Sequence, residues 1–444
     1  MILFITRKHP PSVGGMQKLS QSLTKEVGRL TPTSTIYWGG STLFLPFFIV
    51  YAFLRAVLTA SRSDHVKLIH LSDALLTPLG VVLKALLRVP VVVTVHGLDV
   101  TYSNRFYQWL VPRCLRRMDR IICVSSYTRQ QCIRRGVPPS LCVVVPNGVN
   151  VAEFDGRYTA QGMRNLQMAA GDCLRGRKVL LTVGRLIERK GVVHFLTEVM
   201  PRILARRQDI CYLIVGEGPQ RDLIETRIAS LHLEDHVVLL GQVDDDTLRA
   251  AYHLADLFIM PNIPVQNDIE GFGLVALEAA AAGRYVVASR LDGIPEAIKP
   301  GQNGILLDPL DSEAFATTIL DLLADDARRE ALGRQAREFV RGRYSWDIIA
   351  RRYLEVFTAL IQPRQERQER HVVLHPHPHT TAPVGPGSKI HGNPAGAGAG
   401  PHPLSMHNPD PEPNPNSHDP EPAPAPGKQA HETGGLSALH DRTD

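Results

Sequence analysis

A chain of 444 residues, 44% apolar and 21% charged, exceeds one domain of about 100–200 residues, so two folded units are expected and a small disulfide-stapled scaffold is excluded. Charge divides unevenly: residues 363–444 carry 6 Lys+Arg against 9 Asp+Glu, and residues 1–362 carry 43 against 35. That mildly basic body suits an anionic ligand or an anionic membrane surface and lacks the dense Lys/Arg stripe of a nucleic-acid binder.

The chain opens on a short apolar run, 2–6, ended by Arg7 and Lys8. It is too short for a secretory core and right for a first strand. Further β-branched runs at 66–71, 89–95, 120–124 and 142–145 alternate with helical patterns at 16–29, 46–60, 74–87, 106–115 and 126–135. Alternation of this kind predicts βα units and a parallel sheet covered on both faces. The longest apolar run, 43–54, ends at Arg55. A bilayer span needs about 20 residues, so the run reads as a core or interfacial helix, with core packing the favoured reading.

The polar, weakly periodic stretch 150–177 reads as the connection between two domains, 1–155 and 178–345. Strands follow at 179–183, 212–215, 237–240, 257–260, 286–288 and 304–307, each leading into a helical segment. Three helical stretches, 312–323, 326–341 and 346–361, complete the body. The last carries Trp346, Ile349, Tyr353, Val356, Phe357 and Leu360 close to helical spacing, so it should dock on apolar surface, by expectation back on the first domain.

Residues 363–444 hold 16 of the 33 prolines and no Phe, Trp or Tyr. Such a segment cannot bury enough apolar surface to offset its chain entropy and is expected to be a disordered tail. Its His375, His377 and His379 alternate with prolines; in a three-residue-per-turn helix they do not converge, so no metal site is assigned. The six cysteines, Cys114, Cys123, Cys132, Cys142, Cys173 and Cys211, form no C-x-x-C pair. They read as buried free thiols in a reducing, cytoplasmic setting.

Candidate chemistry concentrates at strand ends, where open parallel sheets bind ligands. After 257–260 comes Glu270-Gly-Phe-Gly-Leu-Val-Ala-Leu-Glu278. Its glycines precede an Ala-rich helix whose free N–H groups favour phosphate. Eight helical residues rise about 12 Å, beyond the roughly 5–9.5 Å between paired glycosidase carboxylates, so Glu270 and Glu278 serve different ends of one ligand. Glu278 suits ribose hydroxyls and Glu270 the transferred group; the plainer reading is a capping Glu270 and a solvated Glu278. After 179–183 comes Gly184-Arg185-Leu-Ile-Glu-Arg-Lys190-Gly191, whose Arg185 fork and Lys190 point charge can flank a diphosphate without metal. Gly216-Glu-Gly218 is a weaker signal and equally a plain turn. Asp244-Asp245-Asp246 reads as helix capping, and not as a metal site. In the first domain, Gly14-Gly15 does not form a dinucleotide fingerprint, so an NAD site is disfavoured. His96 follows 89–95 and falls at the cleft rim.

Val-Gly-Gly-Met (13–16), Val-Thr-Val-His-Gly-Leu-Asp (93–99), Val-Pro-Asn-Gly-Val (145–149), the 184–191 loop, Val-Gly-Glu-Gly-Pro (215–219) and 270–279 resemble, in order and spacing, the retaining glycosyltransferases of family 4 with the GT-B fold. The resemblance covers about 1–362. It implies two Rossmann-like α/β domains facing a cleft, a nucleotide-diphosphate-sugar donor, retention at the anomeric carbon and no required metal or other cofactor. It further implies that Arg185 and Lys190 bind the diphosphate beside Gly184 and Gly216, and that Glu278 binds the ribose. Glu270 with the amides of Gly271, Phe272, Gly273 and Leu274 would meet sugar and phosphates, with Gly15 across the cleft and His96 at the donor sugar. The acceptor would be a glycan or lipid-linked hydroxyl, with peripheral membrane contact through 43–62. A nucleotide-sugar epimerase on the same fold and a non-catalytic sugar-nucleotide-binding module stay open; a phosphorylase would need a pyridoxal-binding lysine that no motif marks.

Overall fold

The computed structural model describes residues 1–10, 14–40, 44–62, 66–156 and 158–373, with side chains to residue 362. Its first half alternates β1 (Ile2–Thr6), α1 (Gly15–Leu30), β2 (Thr33–Tyr37), α2 (Leu45–Arg62), β3 (Leu68–Leu71), α3 (Thr77–Leu87) and β4 (Val91–Val95). Then come α4 (Leu98–Thr101), α5 (Arg105–Leu115), β5 (Arg120–Cys123), α6 (Ser126–Arg134) and β6 (Cys142–Val144). All pairings are parallel, and the strand order is β2-β1-β3-β4-β5-β6. Successive residues of β1 serve opposite faces, as the two-residue strand period requires. Leu3 and Ile5 pack with Phe48, Leu83 and Val111 under α2, α3 and α5. Ile2 and Phe4 pack with Leu19 and Leu23 of α1 on the other side.

After α7 (Ala160–Ala170) the second half runs β7 (Lys178–Val183), α8 (Val192–His194), α9 (Met200–Leu204), β8 (Ile210–Val215), α10 (Arg221–Ser230), β9 (Val237–Gly241), α11 (Asp245–Leu254) and β10 (Leu257–Met260). It closes with α12 (Leu274–Ala281), β11 (Tyr285–Ser289), α13 (Ile294–Ala297), β12 (Gly304–Leu307), α14 (Ser312–Ala324), α15 (Asp326–Tyr344) and α16 (Trp346–Val373). The second sheet is also parallel, ordered β12-β11-β10-β7-β8-β9. Strand order reverses between β7 and β10, the position where doubly wound sheets open a ligand crevice. Loops 184–191 and 261–273 leave the carboxyl ends of those two strands.

α16 packs on the first half: Trp346, Ile349, Tyr353 and Phe357 join Ile2, Phe4, Leu19 and Val27 in one cluster. The Tyr353 hydroxyl lies 3.2 Å from Thr94 Oγ1. The helix as assigned ends at Val373. The remaining tail, with His375, His377 and His379, lies outside the described residues. Within the stretch read as a plain connection, α7 is capped by Thr159, whose hydroxyl accepts from Gly162 N. The thiol reading is corrected at one pair: Cys173 and Cys211 form a disulfide with Cα atoms 5.5 Å apart. The other four cysteines are free and buried.

Candidate active site

Loop 184–191 and loop 261–273 meet in a charge cluster. Lys190 Nζ lies 2.5 Å from Glu270 Oε2, with both side chains 12% exposed. Arg189, buried and given no role in the sequence reading, donates to Asp268 Oδ1 at 2.8 Å and lies 3.5 Å from Glu270 Oε2. Buried Asn262 donates to the same oxygen at 3.3 Å. Burial pushes the Glu270 carboxyl upward, but the Lys190 and Arg189 charges overcome it and hold Glu270 below its ordinary value. The backbone of Glu270 is pinned as well: its N–H donates to Asp292 Oδ2 at 2.9 Å, and its carbonyl accepts from Gly293 N at 2.9 Å. Arg185, five residues before Lys190 on the same loop, is exposed and makes no side-chain bond among the described residues. A charge-balanced cluster of two cations and two carboxylates, with the uncommitted Arg185 guanidinium on the same loop as Lys190, is suited to an anion that arrives and leaves.

Beyond Glu270, Gly273 adopts φ +98° and caps α12, leaving the Leu274 and Val275 N–H groups without intrahelical partners. Four residues on, half-buried Glu278 accepts from the Tyr252 hydroxyl at 2.8 Å. Burial raises its carboxyl to about 7, against the opposing pull of the Tyr252 hydrogen bond and of Lys18. Lys18 belongs to α1 in the first half and lies 2.6 Å from Asp245 of α11, so a bridge between the two halves passes close to Glu278.

The second half from 168 to 339 matches the model of glycosyl transferases group 1, and residues 18–153 match that of glycosyltransferase family 4. An uncharacterised glycosyltransferase of Methanocaldococcus jannaschii is 32% identical over 303 residues, 66% of this chain and 75% of that protein. The chain belongs to this glycosyltransferase family. A GDP-mannose-dependent alpha-(1-6)-phosphatidylinositol monomannoside mannosyltransferase of Mycolicibacterium smegmatis is 28% identical over 395 residues, covering 82% of this chain and all of that one. Among solved structures, Anabaena HepE in complex with UDP and glucose superposes with a TM-score of 0.64 at 19% identity, over 81% of this chain and 99% of that one. The sucrose-phosphate synthase of Thermosynechococcus elongatus gives 0.65 at 22%, over 82% and 99%. These structures share its GT-B fold of two parallel sheets.

In this glycosyltransferase the sites read from sequence separate into those that face the cleft and those that build it. Gly15, the first residue of α1, is exposed with open space around it. Gly271 is a contact point: a Cβ there would lie 1.9 Å from the His96 carbonyl oxygen, so this loop reaches the first half through bare backbone. Gly216 is likewise packed, its absent Cβ directed at the Gly184 carbonyl 1.8 Å away, which makes both residues loop-to-loop spacers. The Phe272 side chain is not at the cleft; it is buried against Tyr344. Leu274 packs on the cluster of Trp346 and Val145, so both residues could offer a ligand only their N–H groups. His96 Nε2 lies 3.0 Å from the Ser72 carbonyl, an acceptor only, which places the ring proton on Nε2. Asp99 Oδ1 accepts from the His96 N–H at 2.8 Å and its other oxygen from Ala74 N at 3.1 Å, fixing the turn that presents the histidine. Asp244 caps α11, accepting from Asp246 N and Thr247 N, and no group of three His, Cys, Asp or Glu among the described residues could hold a metal.

The outer face of the first half departs from the favoured core reading of 43–54. α2, the one described helix long and apolar enough to cross a membrane, buries only the stripe Phe48, Ala52 and Ala56. That stripe docks the helix on its sheet, and Phe47 (71% exposed), Val50, Tyr51, Leu54 and Leu58 face outward. α3 packs beside both α2 and α5, and it adds exposed Val82 and Leu86, with Phe106 and Trp109 on α5. None of the three helices contains Asp or Glu.

Proposed function

We propose that this glycosyltransferase moves mannose from GDP-mannose to a lipid-linked acceptor with retained anomeric configuration, at an anionic membrane surface facing the cytoplasm, without metal. The Lys190–Glu270 pair, with Arg189 beside it and Arg185 on the same loop, ahead of the N-terminus of α12, carries the reading. When the bond between the anomeric carbon and the diphosphate oxygen breaks, negative charge grows on the departing diphosphate. Arg185, Lys190 and the Leu274 and Val275 N–H groups supply fixed positive potential there, the role a divalent cation plays elsewhere. Glu270 orients the sugar, Glu278 accepts from ribose hydroxyls, and His96 bounds the sugar from the opposite half. Contact of Gly271 with His96 excludes water from the closed cleft, which limits hydrolysis of the donor.

The GDP-mannose-dependent relatives support the donor and the glycolipid acceptor. Exposed apolar residues on three carboxylate-free helices support peripheral docking on anionic lipid, through 43–62 first. Four free thiols support the cytoplasmic placement, and the Cys173–Cys211 pair speaks against it. Incubation with GDP-mannose and a phosphatidylinositol-based glycolipid, in EDTA, should release GDP only when acceptor is present and yield an α-linked product by NMR. Release of GDP without product, or isomerised donor, would contradict transfer.

A further inference from the structure

A polar cavity of about 420 Å³ lies between the end of α12, α15 and the chain at Asp155 and Gly156. Two of its lining residues, Asp256 and Arg284, stand immediately before β10 and β11. The cavity therefore opens at the amino ends of the second sheet, away from loops 184–191 and 261–273 at the carboxyl ends. Four arginines line it, Arg284, Arg329, Arg334 and Arg337, together with the acids Asp155, Asp256 and Glu330. Arg334 and Arg337 lie one turn apart on α15 and so share a face of that helix.

Three of the arginines have carboxylate partners of unequal quality. Arg329 binds Asp256 at 2.6 Å, Arg337 pairs with Asp155, and Arg334 stands 3.8 Å from Glu330 with both side chains in solvent. Arg284 has none among the described residues. Its Nη1 donates to the Ala255 carbonyl at 2.8 Å and its Nε to the Ala282 carbonyl at 3.2 Å, so the guanidinium is fixed in place while its charge is not neutralised. Burial pulls it below the ordinary arginine value. Arg337 Nε is also buried and has no partner among the described residues. His253 accepts the Gly156 N–H through Nε2 at 3.2 Å, so its ring is neutral and adds no charge. An unneutralised guanidinium and an unpaired buried donor each cost free energy that a bound anion would recover. Guanidinium forks match phosphate oxygens, and no Phe, Tyr or Trp among the described lining residues offers a platform for a base.

We infer that this cavity binds a small phosphate-bearing anion, free phosphate or a phosphate monoester, at a site separate from the donor cluster. The anion competes with an ion pair of the fold, because it and the Asp155 carboxylate share Arg337. The assignment stands whether or not the chain transfers mannose.

Calorimetric titration of inorganic phosphate and of glycerol 3-phosphate into the GDP-saturated protein tests it, and the tighter of the two identifies the source as free ion or ester. Arg284→Gln should abolish binding of both. Arg334→Gln removes an exposed side chain, which keeps the test valid if the first variant does not fold, and should weaken binding about tenfold. Asp155→Asn frees Arg337 and should tighten binding, a gain that general damage to the fold does not produce. Lys190→Ala should leave binding unchanged. A parent protein with no saturable binding below about 10 mM would overturn the assignment. So would equal binding by parent, Arg334→Gln and Asp155→Asn, or a loss of binding in Lys190→Ala, which would place the anion at the donor cluster.

Discussion

The two halves share a six-stranded parallel sheet and spend their polar residues in opposite places. In the second half, charge is gathered inside the cleft, where Lys190, Arg189, Asp268 and Glu270 form one partly buried cluster. In the first half the cleft wall is built from backbone, with the His96 carbonyl touching Gly271, and the unusual surface is outside, on apolar and basic α2, α3 and α5. One half gathers its charges in a compact, partly buried cluster, and the other presents a broad apolar outer face. The same fold thus yields two different surfaces by distributing burial and charge differently.

The largest expected effect comes from breaking the charged half. Glu270→Ala leaves Lys190 without its carboxylate in a partly buried site, while Arg189 keeps Asp268, and removes the group assigned to the sugar. It should lower kcat/KM by roughly 100- to 1000-fold, measured by GDP release; a loss under threefold would remove Glu270 from the reaction. Gly271→Ala tests the contact between halves. The new methyl cannot coexist with the His96 carbonyl at the present spacing, so the loop must retreat by an ångström or more, at a cost of about 100-fold in kcat. Small-angle scattering in saturating GDP should show a larger radius of gyration than for the parent, and an identical closed form would show that the contact is not required.

The outer face yields a smaller effect. Phe47→Ser with Leu54→Ser should weaken co-sedimentation with phosphatidylglycerol vesicles by about tenfold per residue, following the apolar transfer energy. Equal binding of parent and variant would move the docking surface elsewhere. The smallest effect concerns Glu278. Its folded-state value is raised to about 7 from 4.5, so the folded protein keeps a proton that the unfolded chain releases. The penalty for ionising it is absent below about pH 4.5, grows between 4.5 and 7, and is complete above 7. Glu278→Gln removes the penalty, and its Tm should gain on the parent by about 2–4 °C between pH 5 and pH 8. A pH-independent difference would contradict the burial argument, and nucleotide binding should lower the carboxyl's pKa if ribose hydroxyls donate to it.

Sequence made the strongly buried elements visible. β4 is fully buried along Val91–Val95, and an unbroken β-branched run announces such a strand. β2 was not legible because it is an edge strand with Ile36 as its one buried residue, so neither alternation nor an apolar run marks it. α7 hid for a related reason, as only Gly162, Leu166 and Ala170 are buried on it. At the candidate site, motif order singled out Arg185, Lys190, Glu270 and Glu278, of which Lys190 and Glu270 meet as an ion pair. Arg189, Asn262, Asp292 and Tyr252 escaped notice because their contacts are made across 8 to 81 residues of chain. The Cys173–Cys211 pair, 38 residues apart, belongs to the same class.

The most direct test of the central claim is calorimetric titration of GDP into the parent protein, Arg185→Ala and Lys190→Ala. The grip on a diphosphate between these cations predicts at least tenfold weaker binding in each variant, with unchanged melting temperature for exposed Arg185→Ala. GDP bound equally well by all three proteins would place the nucleotide elsewhere and contradict the account.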